Sequence, residues 1–522
     1  MSVAGSTRRS ARGGRVDDSK LDLVPILMGV LAILGAIVAG IAAADTLVLA
    51  VAGAAALLLG TAIVLRPDVA TLTTVAILYS NAAVVAVRFH GVPLFVAALV
   101  PMLLVVPLAR DLIVRRQPVV APPMLPWMVV LLFIHLISAL FSIDTGRSWD
   151  EVVVFVVEGF GLYFLLINVI RTPEMLRQVT WVLIGVGALV SALSVHQAVT
   201  SNYSSDYFGF AQASTAAFRT GESTLTGDVL QPRLAGSIGE TNRFAQVMLM
   251  LVPLGVFRFI AEPNRAVRFV AAGATGFITL GVVLTFSRGA AVGLGVLMVA
   301  LVVLRLIQAR HAITVTVLLT FVIAIFPQYL TRVASLGSVA GSSSQVDTSL
   351  LSRVTETLAA ALVIVDHPIL GVGPGMFPNY YEHYAEVVGI LVKNDVEREA
   401  HNLYLGVGAE LGVVGLAAFI WIALLTARMI LIARRRSLVR RPDLERLTTP
   451  FLLALMSYHV TGLFLHLSFA RFYWIILGVA GAAAVITLRE TEPDHDAGTA
   501  EAGPRSARGP AGRSQLPYNQ SV

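Results

Sequence analysis

The sequence predicts an all-α polytopic membrane protein with about 12–14 transmembrane helices. The first observation is composition, since 56% of the 522 residues are hydrophobic and 13% are charged. The mean hydropathy is correspondingly high at +0.79. The second is pattern, because apolar runs of about 17–22 residues recur along the chain, and each can cross a bilayer as a helix.

The apolar runs are separated by short polar or basic segments. We count about fourteen spans by their length. In the N-terminal part, two of these spans can be counted or left out. They lie near residues 24–43, 47–65, 69–87, 92–108, 125–142, 151–169, 179–199, 244–260, 267–286, 289–306, 312–330, 403–427, 449–467 and 471–488.

Arginine placement predicts the orientation. The basic N-terminal segment, the Arg-rich segment 428–441 and Arg489 all fall on one side in this count. The positive-inside rule makes that side cytoplasmic, with both termini in the cytoplasm. The net charge of +6 follows this topology, so we expect no nucleic-acid binding. With no cysteine, the outer loops carry no disulfide and no Cys-based metal site.

Two long polar segments, 200–243 and 331–402, interrupt the series of apolar runs. The second contains an amphipathic pattern near 349–365 that predicts a helix. Loops of this length with their own periodicity are usually functional. The expected regions are a basic cytoplasmic tail 1–22, membrane helices 23–199, an outer loop 200–243, membrane helices 244–330, a large outer catalytic loop 331–402, membrane helices 403–488 and a disordered cytoplasmic tail 489–522.

Three polar residues stand out on the predicted outer side. His401 lies where loop 331–402 meets an apolar run, and an imidazole there can exchange a proton near neutral pH. Arg288 lies at an outer hairpin, where the positive-inside rule does not explain it. It is either a side chain that reaches lipid phosphate or an anion clamp. Arg353 is either a solvated residue of the amphipathic helix or a second clamp.

Other polar residues of the outer loops form a candidate substrate-binding set. Gly371, Gly373 and Gly375 resemble a phosphate loop, but the flanking prolines favour a tight structural turn. Glu410 is an acidic residue within a predicted span. It either takes part in the functional site or makes a structural hydrogen bond to a neighbouring helix. The aromatic stretch around Tyr381 lines a sugar path or lies at the membrane interface. The candidate binding residues are Arg233, Asn242, Arg243, Ser287, Asn402, Tyr404, Glu410 and Tyr381.

The order of these motifs resembles the bacterial O-antigen ligase / O-antigen polymerase superfamily. The resemblance covers about residues 230–470 and rests on Thr-Phe-Ser-Arg288-Gly, on Arg353 ahead of His-Pro-Ile-Leu-Gly-Val-Gly-Pro-Gly, and on His401-Asn-Leu-Tyr-Leu followed by Glu410-Leu-Gly.

The resemblance implies an inverting glycosyltransferase of the multi-span C type, without metal or other cofactor. Its donor would be a glycan on undecaprenyl diphosphate at the outer face of the bacterial inner membrane. Its catalytic residues would be Arg288, Arg353 and His401. Two guanidinium groups suit a diphosphate leaving group, and an imidazole suits a general base for the acceptor hydroxyl.

The acceptor stays open at this point. A ligase passes the glycan to a glycolipid, a polysaccharide or a protein, whereas a polymerase uses a second lipid-linked glycan. A transporter or flippase of lipid-linked glycans is the alternative from another class. The concentration of polar residues on one outer side favours an enzyme over a central transport cavity.

Overall fold

The computed structural model describes residues 66–224, 227–308, 310, 313, 317, 348–389, 398–466 and 470–492. Within these ranges the protein is a bundle of apolar helices with one two-stranded hairpin. This confirms an all-α polytopic membrane protein. The predicted spans 24–43 and 47–65, nearly all of 312–330, and both predicted tails apart from residues 489–492 lie outside the described residues, so the total of 12–14 helices stays a prediction.

The eleven other predicted spans all coincide with helical segments. Eight helices of the described part are long and apolar enough to cross a membrane, and a bent pair adds a ninth. The bounds are α1 Pro67–Tyr79, α2 Ala82–His90, α3 Leu94–Val114, α4 Leu125–Leu140, α5 Thr145–Val169, α6 Pro173–Val199, α7 Thr241–Ala261, α8 Arg265–Val283, α9 Arg288–Val303, α10 Thr348–Asp366, α11 Phe377–Val388, α12 Leu403–Arg440, α13 Pro442–Thr461 and α14 Arg471–Glu490.

Side-chain caps explain where several of these helices begin. The carboxylate of Asp144 accepts a hydrogen bond from an amide in the first turn of α5, and Thr172 does the same for α6. Asn264, Ser287 and Asn402 cap α8, α9 and α12. Each cap satisfies amides that have no partner within the helix, which matters most where water is scarce.

Helix α14 forms the centre of the bundle and packs against α5, α12 and α13. Phe472, Tyr473 and Trp474 are fully buried at its start. Further along, Gly478 and Gly481 let the helix approach α5 closely, because a Cβ at either position would lie against α5 side chains. Small residues at a helix interface are the usual route to close packing in membranes.

The two polar segments carry secondary structure of their own. In the first, strands β1 Gln212–Thr224 and β2 Gly227–Gly236 pair antiparallel, which the sequence analysis did not foresee. In the second, helix α10 confirms the predicted amphipathic helix. The predicted span 449–467 is too long, since α13 ends at Thr461 and a short 3-10 turn follows over Gly462–Phe464. His466 therefore does not share a helix face with His459.

Candidate functional site

His401 lies directly before α12 in an uncommon backbone conformation. Its φ of 44° falls in the left-handed region that non-glycine residues rarely adopt. Asn402 holds the segment, because its side-chain oxygen accepts the amides of Tyr404 and Leu405 and its nitrogen donates to the Leu463 oxygen at 3.1 Å. Strained conformations of this kind persist where their surroundings fix them, often at functional sites.

The contacts of the imidazole define its tautomer. The Nδ1 atom of His401 lies 3.1 Å from the backbone oxygen of Glu399 and 3.3 Å from a carboxylate oxygen of Glu356. The backbone oxygen of Glu399 can only accept, so its contact favours the tautomer in which Nδ1 carries the proton. The contact with Glu356 is electrostatic, because that carboxylate oxygen has no hydrogen-bond partner among the described residues. In the neutral ring the lone pair is then on Nε2, which is the atom that can take a proton from a substrate.

Glu356 is the buried acid of this site, with only 1% of its side chain exposed. Arg398 donates to its other carboxylate oxygen at 2.9 Å. Arg353, one helical turn earlier on α10, also acts on it electrostatically. Burial raises the pKa of Glu356, and the positive charges of His401, Arg398 and Arg353 partly offset that rise. Glu356 and Arg398 were not among the residues expected from sequence.

Arg288 begins helix α9 at a tight hairpin. Phe286 turns the chain with a φ of 54°, and Ser287, a predicted binding residue, caps the helix through the Ala290 amide. The next residue, Gly289, packs against the side chain of Phe464. The turn 462–464 therefore lies between the Arg288 hairpin and His401. Its Phe464 contacts Gly289 of the hairpin, and its Leu463 accepts a hydrogen bond from Asn402, the residue after His401.

The predicted binding residues of the first loop gather around the same hairpin. Arg233 donates to the backbone oxygen of Thr285 at 2.9 Å and to the side-chain oxygen of Asn242 at 3.1 Å. Arg243 is 1% exposed and donates to Gln246 at 2.7 Å. These contacts fix the start of α7 against the hairpin and place positive charge inside the protein.

Glu410 and the glycine-rich segment form one structural unit. Helix α12 is broken at Gly412, where φ is 70° and ψ is −177°. The break lets the oxygens of Ala409 and Glu410 accept the amides of Val372 and Gly373, at 2.9 and 3.0 Å. The carboxyl group of Glu410 in turn accepts the amides of Gly375 and Phe377. The segment is thus a packed turn, as its flanking prolines suggested.

Two further predicted binding residues differ in their contacts: Tyr404 has a hydrogen-bond partner, whereas the buried hydroxyl of Tyr381 has none among the described residues. The hydroxyl of Tyr404 donates to the backbone oxygen of His459 at 3.0 Å. Tyr381 is 5% exposed on α11. Burial raises the pKa of its hydroxyl, and the charge of Glu356 acts in the same direction, so Tyr381 lies close to the acid that contacts His401.

His466 is a second histidine of the site that the sequence analysis did not select. Its ring centroid lies 5.5 Å from that of His401, and its Nε2 atom lies 4.0 Å from a carboxylate oxygen of Glu399. Burial lowers the pKa of His466 well below its ordinary value, and the charges of Arg243 and His401 add to that effect. His466 is therefore neutral near pH 7.

A cavity of about 440 Å³ opens next to this cluster. Glu399 and Ala400, which precede His401, form part of its wall, together with His466. Residues of α4, α5, α12 and the start of α14 also line it, together with Pro374, Gly375 and Phe377 of the packed turn and the start of α11. A substrate of sugar size fits such a volume, in a protein whose polar residues gather at one end of the helix bundle.

Residues 273–420 match the family model described as O-antigen ligase. This confirms the resemblance to the O-antigen ligase superfamily. The match begins within α8, contains Arg288, Arg353 and His401, and ends within α12. It supports a membrane glycosyltransferase of the ligase or polymerase type and implies lipid-linked glycan and acceptor substrates. No curated protein matches the chain.

Proposed function

We propose that the protein transfers a glycan from undecaprenyl diphosphate to an acceptor hydroxyl, with inversion at the anomeric carbon. The reaction takes place at the outer face of a bacterial inner membrane, and both chain termini are cytoplasmic. The contact between His401 and buried Glu356 carries the proposal, because a carboxylate beside a base stabilises the protonated form that the base takes when it activates a hydroxyl.

His401 is the general base of the proposed reaction. Its Nε2 atom takes the proton of the acceptor hydroxyl while the hydroxyl oxygen bonds to the anomeric carbon. The imidazolium that forms lies next to the Glu356 carboxylate, which stabilises the new positive charge at a distance of 3.3 Å. Arg398 holds Glu356 in place through its 2.9 Å contact, and its positive charge favours the ionised carboxylate.

Arginine side chains stabilise the leaving group. The bond from the anomeric carbon to the diphosphate breaks, its electron pair stays on the phosphate oxygen, and negative charge develops there. Arg288 and Arg353 bind that charge, and the N-terminal amides of α9 favour an anion beside Arg288. Guanidinium groups in a partly desolvated site can supply the electrostatic stabilisation without a metal ion.

A ligase reaction is the first expectation, and polymerisation is distinguished by its acceptor. Purified protein supplied with lipid-linked donor alone extends the glycan if it is a polymerase. It needs a separate glycolipid, polysaccharide or protein acceptor if it is a ligase. A transporter of lipid-linked glycans moves the donor between leaflets and leaves its diphosphate bond intact.

The test uses proteoliposomes with a radiolabelled lipid-linked donor. We expect wild-type protein to release undecaprenyl diphosphate as glycan is transferred, and His401→Ala to lose at least about a hundredfold in rate. His383→Ala removes an exposed histidine of α11 and serves as the matched control. Full transfer by correctly inserted His401→Ala protein overturns the proposal.

A further inference from the structure

The cavity beside His401 has an acidic wall, in contrast to the arginine residues around His401 and the hairpin. Glu151 and Glu158 of α5 and Glu410 of α12 all line it, and Glu399 lies at its edge. One of these acids has a cationic partner, since Arg471 donates a hydrogen bond to Glu158 at 3.2 Å. Four carboxyl groups and one paired guanidinium make this wall suited to binding hydroxyl groups and unsuited to binding a phosphate.

The backbone of α5 is adapted to present Glu158. Residues Phe155–Gly161 form a π-helical turn, which is wider than a regular turn, and Glu158 lies in its middle. Such insertions are rare and occur often at functional sites because they redirect a side chain. Glu158 thereby reaches Arg471 and the cavity.

Two donors in the cavity wall have no hydrogen-bond partner among the described residues. These are the Nε atom of Arg471 and the indole Nε1 atom of Trp474. Arg471 is 6% exposed and Trp474 is 1% exposed, so water does not reach them from the outer surface. Buried donors without partners are costly, which indicates that a polar ligand satisfies them.

We propose that this cavity binds the acceptor sugar and selects a neutral or amino sugar over an anionic one. The carboxyl groups of Glu151 and Glu158 bind sugar hydroxyls, and the donors of Arg471 and Trp474 bind sugar oxygens. Phe155 and Phe419 supply the apolar wall on which a sugar ring packs. This inference rests on the proposed glycan transfer and adds the chemistry of its acceptor.

The division of charge explains how one site handles two substrates. The diphosphate of the donor is attracted to the arginine residues near His401 and the hairpin, whereas the only arginine among the described residues that line the cavity is already paired with Glu158. A uronic acid or a phosphorylated sugar in the cavity lies against carboxyl oxygens, with no unpaired arginine among the described lining residues to bind it, and such a mismatch disfavours anionic ligands. An acceptor hydroxyl in the cavity comes close to the segment Glu399–Ala400, directly before His401.

The experiment measures binding without donor, so that it does not depend on transfer. Full-length protein in nanodiscs is titrated with the methyl β-glycosides of glucose, glucosamine and glucuronic acid. Binding is followed by Trp474 emission, with Trp474→Phe as the blank, and by saturation-transfer NMR of the glycoside. We expect the glucuronide to bind at least about tenfold more weakly than the other two.

Variants of the acidic residues test whether this cavity causes the weaker binding of the glucuronide. Glu158→Gln removes the partner of Arg471, so we expect it to bring the glucuronide to within about threefold of the glucoside. Glu151→Gln should also reduce the difference in affinity between the glucoside and the glucuronide. Glu382→Gln, on the exposed face of α11, is the matched control and should leave it unchanged.

Equal affinity for the three glycosides, or no saturable binding in either measurement, overturns this inference. Equal selectivity in wild type and in a folded Glu158→Gln variant also overturns it, by placing the site elsewhere. None of these results bears on glycan transfer by His401, which the proteoliposome assay tests separately.

Discussion

Replacing Glu356 by glutamine keeps the size of the side chain and removes the negative charge beside His401. The carboxylate lies 3.3 Å from Nδ1, and 30% of the His401 side chain is exposed. At that distance Coulomb's law gives about 1 kcal/mol in water and about 5 kcal/mol at an effective dielectric constant near 20. Partial exposure places the imidazolium between these limits.

The expected loss in kcat therefore lies between about fivefold and about four-thousandfold, since 1.4 kcal/mol corresponds to a factor of ten. The assay is release of undecaprenyl diphosphate by protein in proteoliposomes, measured from pH 5 to pH 9. Glu382→Gln on the exposed face of α11 is the control and should keep the wild-type rate.

The pH profile separates an electrostatic role from a purely structural one. Burial raises the pKa of Glu356, so protonation of Glu356 contributes to the acid limb of the wild-type rate profile. Glutamine cannot take up that proton, so the part of the acid limb that comes from Glu356 disappears in the variant. A folded Glu356→Gln variant with wild-type kcat and an unshifted profile would refute this reasoning.

Three further changes test the surroundings of this pair. Arg398→Gln removes a charge that offsets the raised pKa of Glu356, so Glu356 takes up a proton at higher pH and the acid limb of the rate profile should move upward. Gly371→Ala places a Cβ against the backbone of α12 at a φ of 68°, and should lower the free energy of unfolding by about 1–3 kcal/mol in denaturant titrations. Tyr384→Phe removes the 2.7 Å hydrogen bond to Asp366 and should cost about 1 kcal/mol in the same titrations, with activity retained.

Hydropathy and motif order predicted much of the fold, because span length and charge placement depend on local sequence. Every predicted span in the described part of the chain coincides with a helix, and the amphipathic pattern near 349–365 is α10. The ends of the helices were predicted less accurately than their positions. Helix α12 continues to Arg440, well past the predicted end at 427, since arginine, alanine and leucine favour helix after the apolar run ends.

The composition of the site was predictable only in part. Glu356 follows Arg353 by three residues on an amphipathic helix, so its place on the same face was a signal in the sequence. Arg398 and His466 carry no such signal, because tertiary packing brings them beside Glu356 and His401. Asn402 and Tyr404 were predicted to bind substrate, and the structure shows a helix cap and a hydrogen bond to His459.

The hairpin of the first loop escaped prediction for a related reason. Its strands pair over Gln212–Gly236 without a strong alternation of apolar and polar residues, so the sequence indicated a loop. The acidic cavity also depends on distant segments. Glu151, Glu158 and Glu410 come together only when α5 and α12 pack around α14.

The most direct test of the central claim is a single time course with purified protein and lipid-linked glycan donor. We predict that wild-type protein transfers glycan and releases undecaprenyl diphosphate in equal amounts, while His401→Ala binds the donor and transfers at least about a hundredfold more slowly. Stoichiometric transfer by His401→Ala at the wild-type rate would contradict the account.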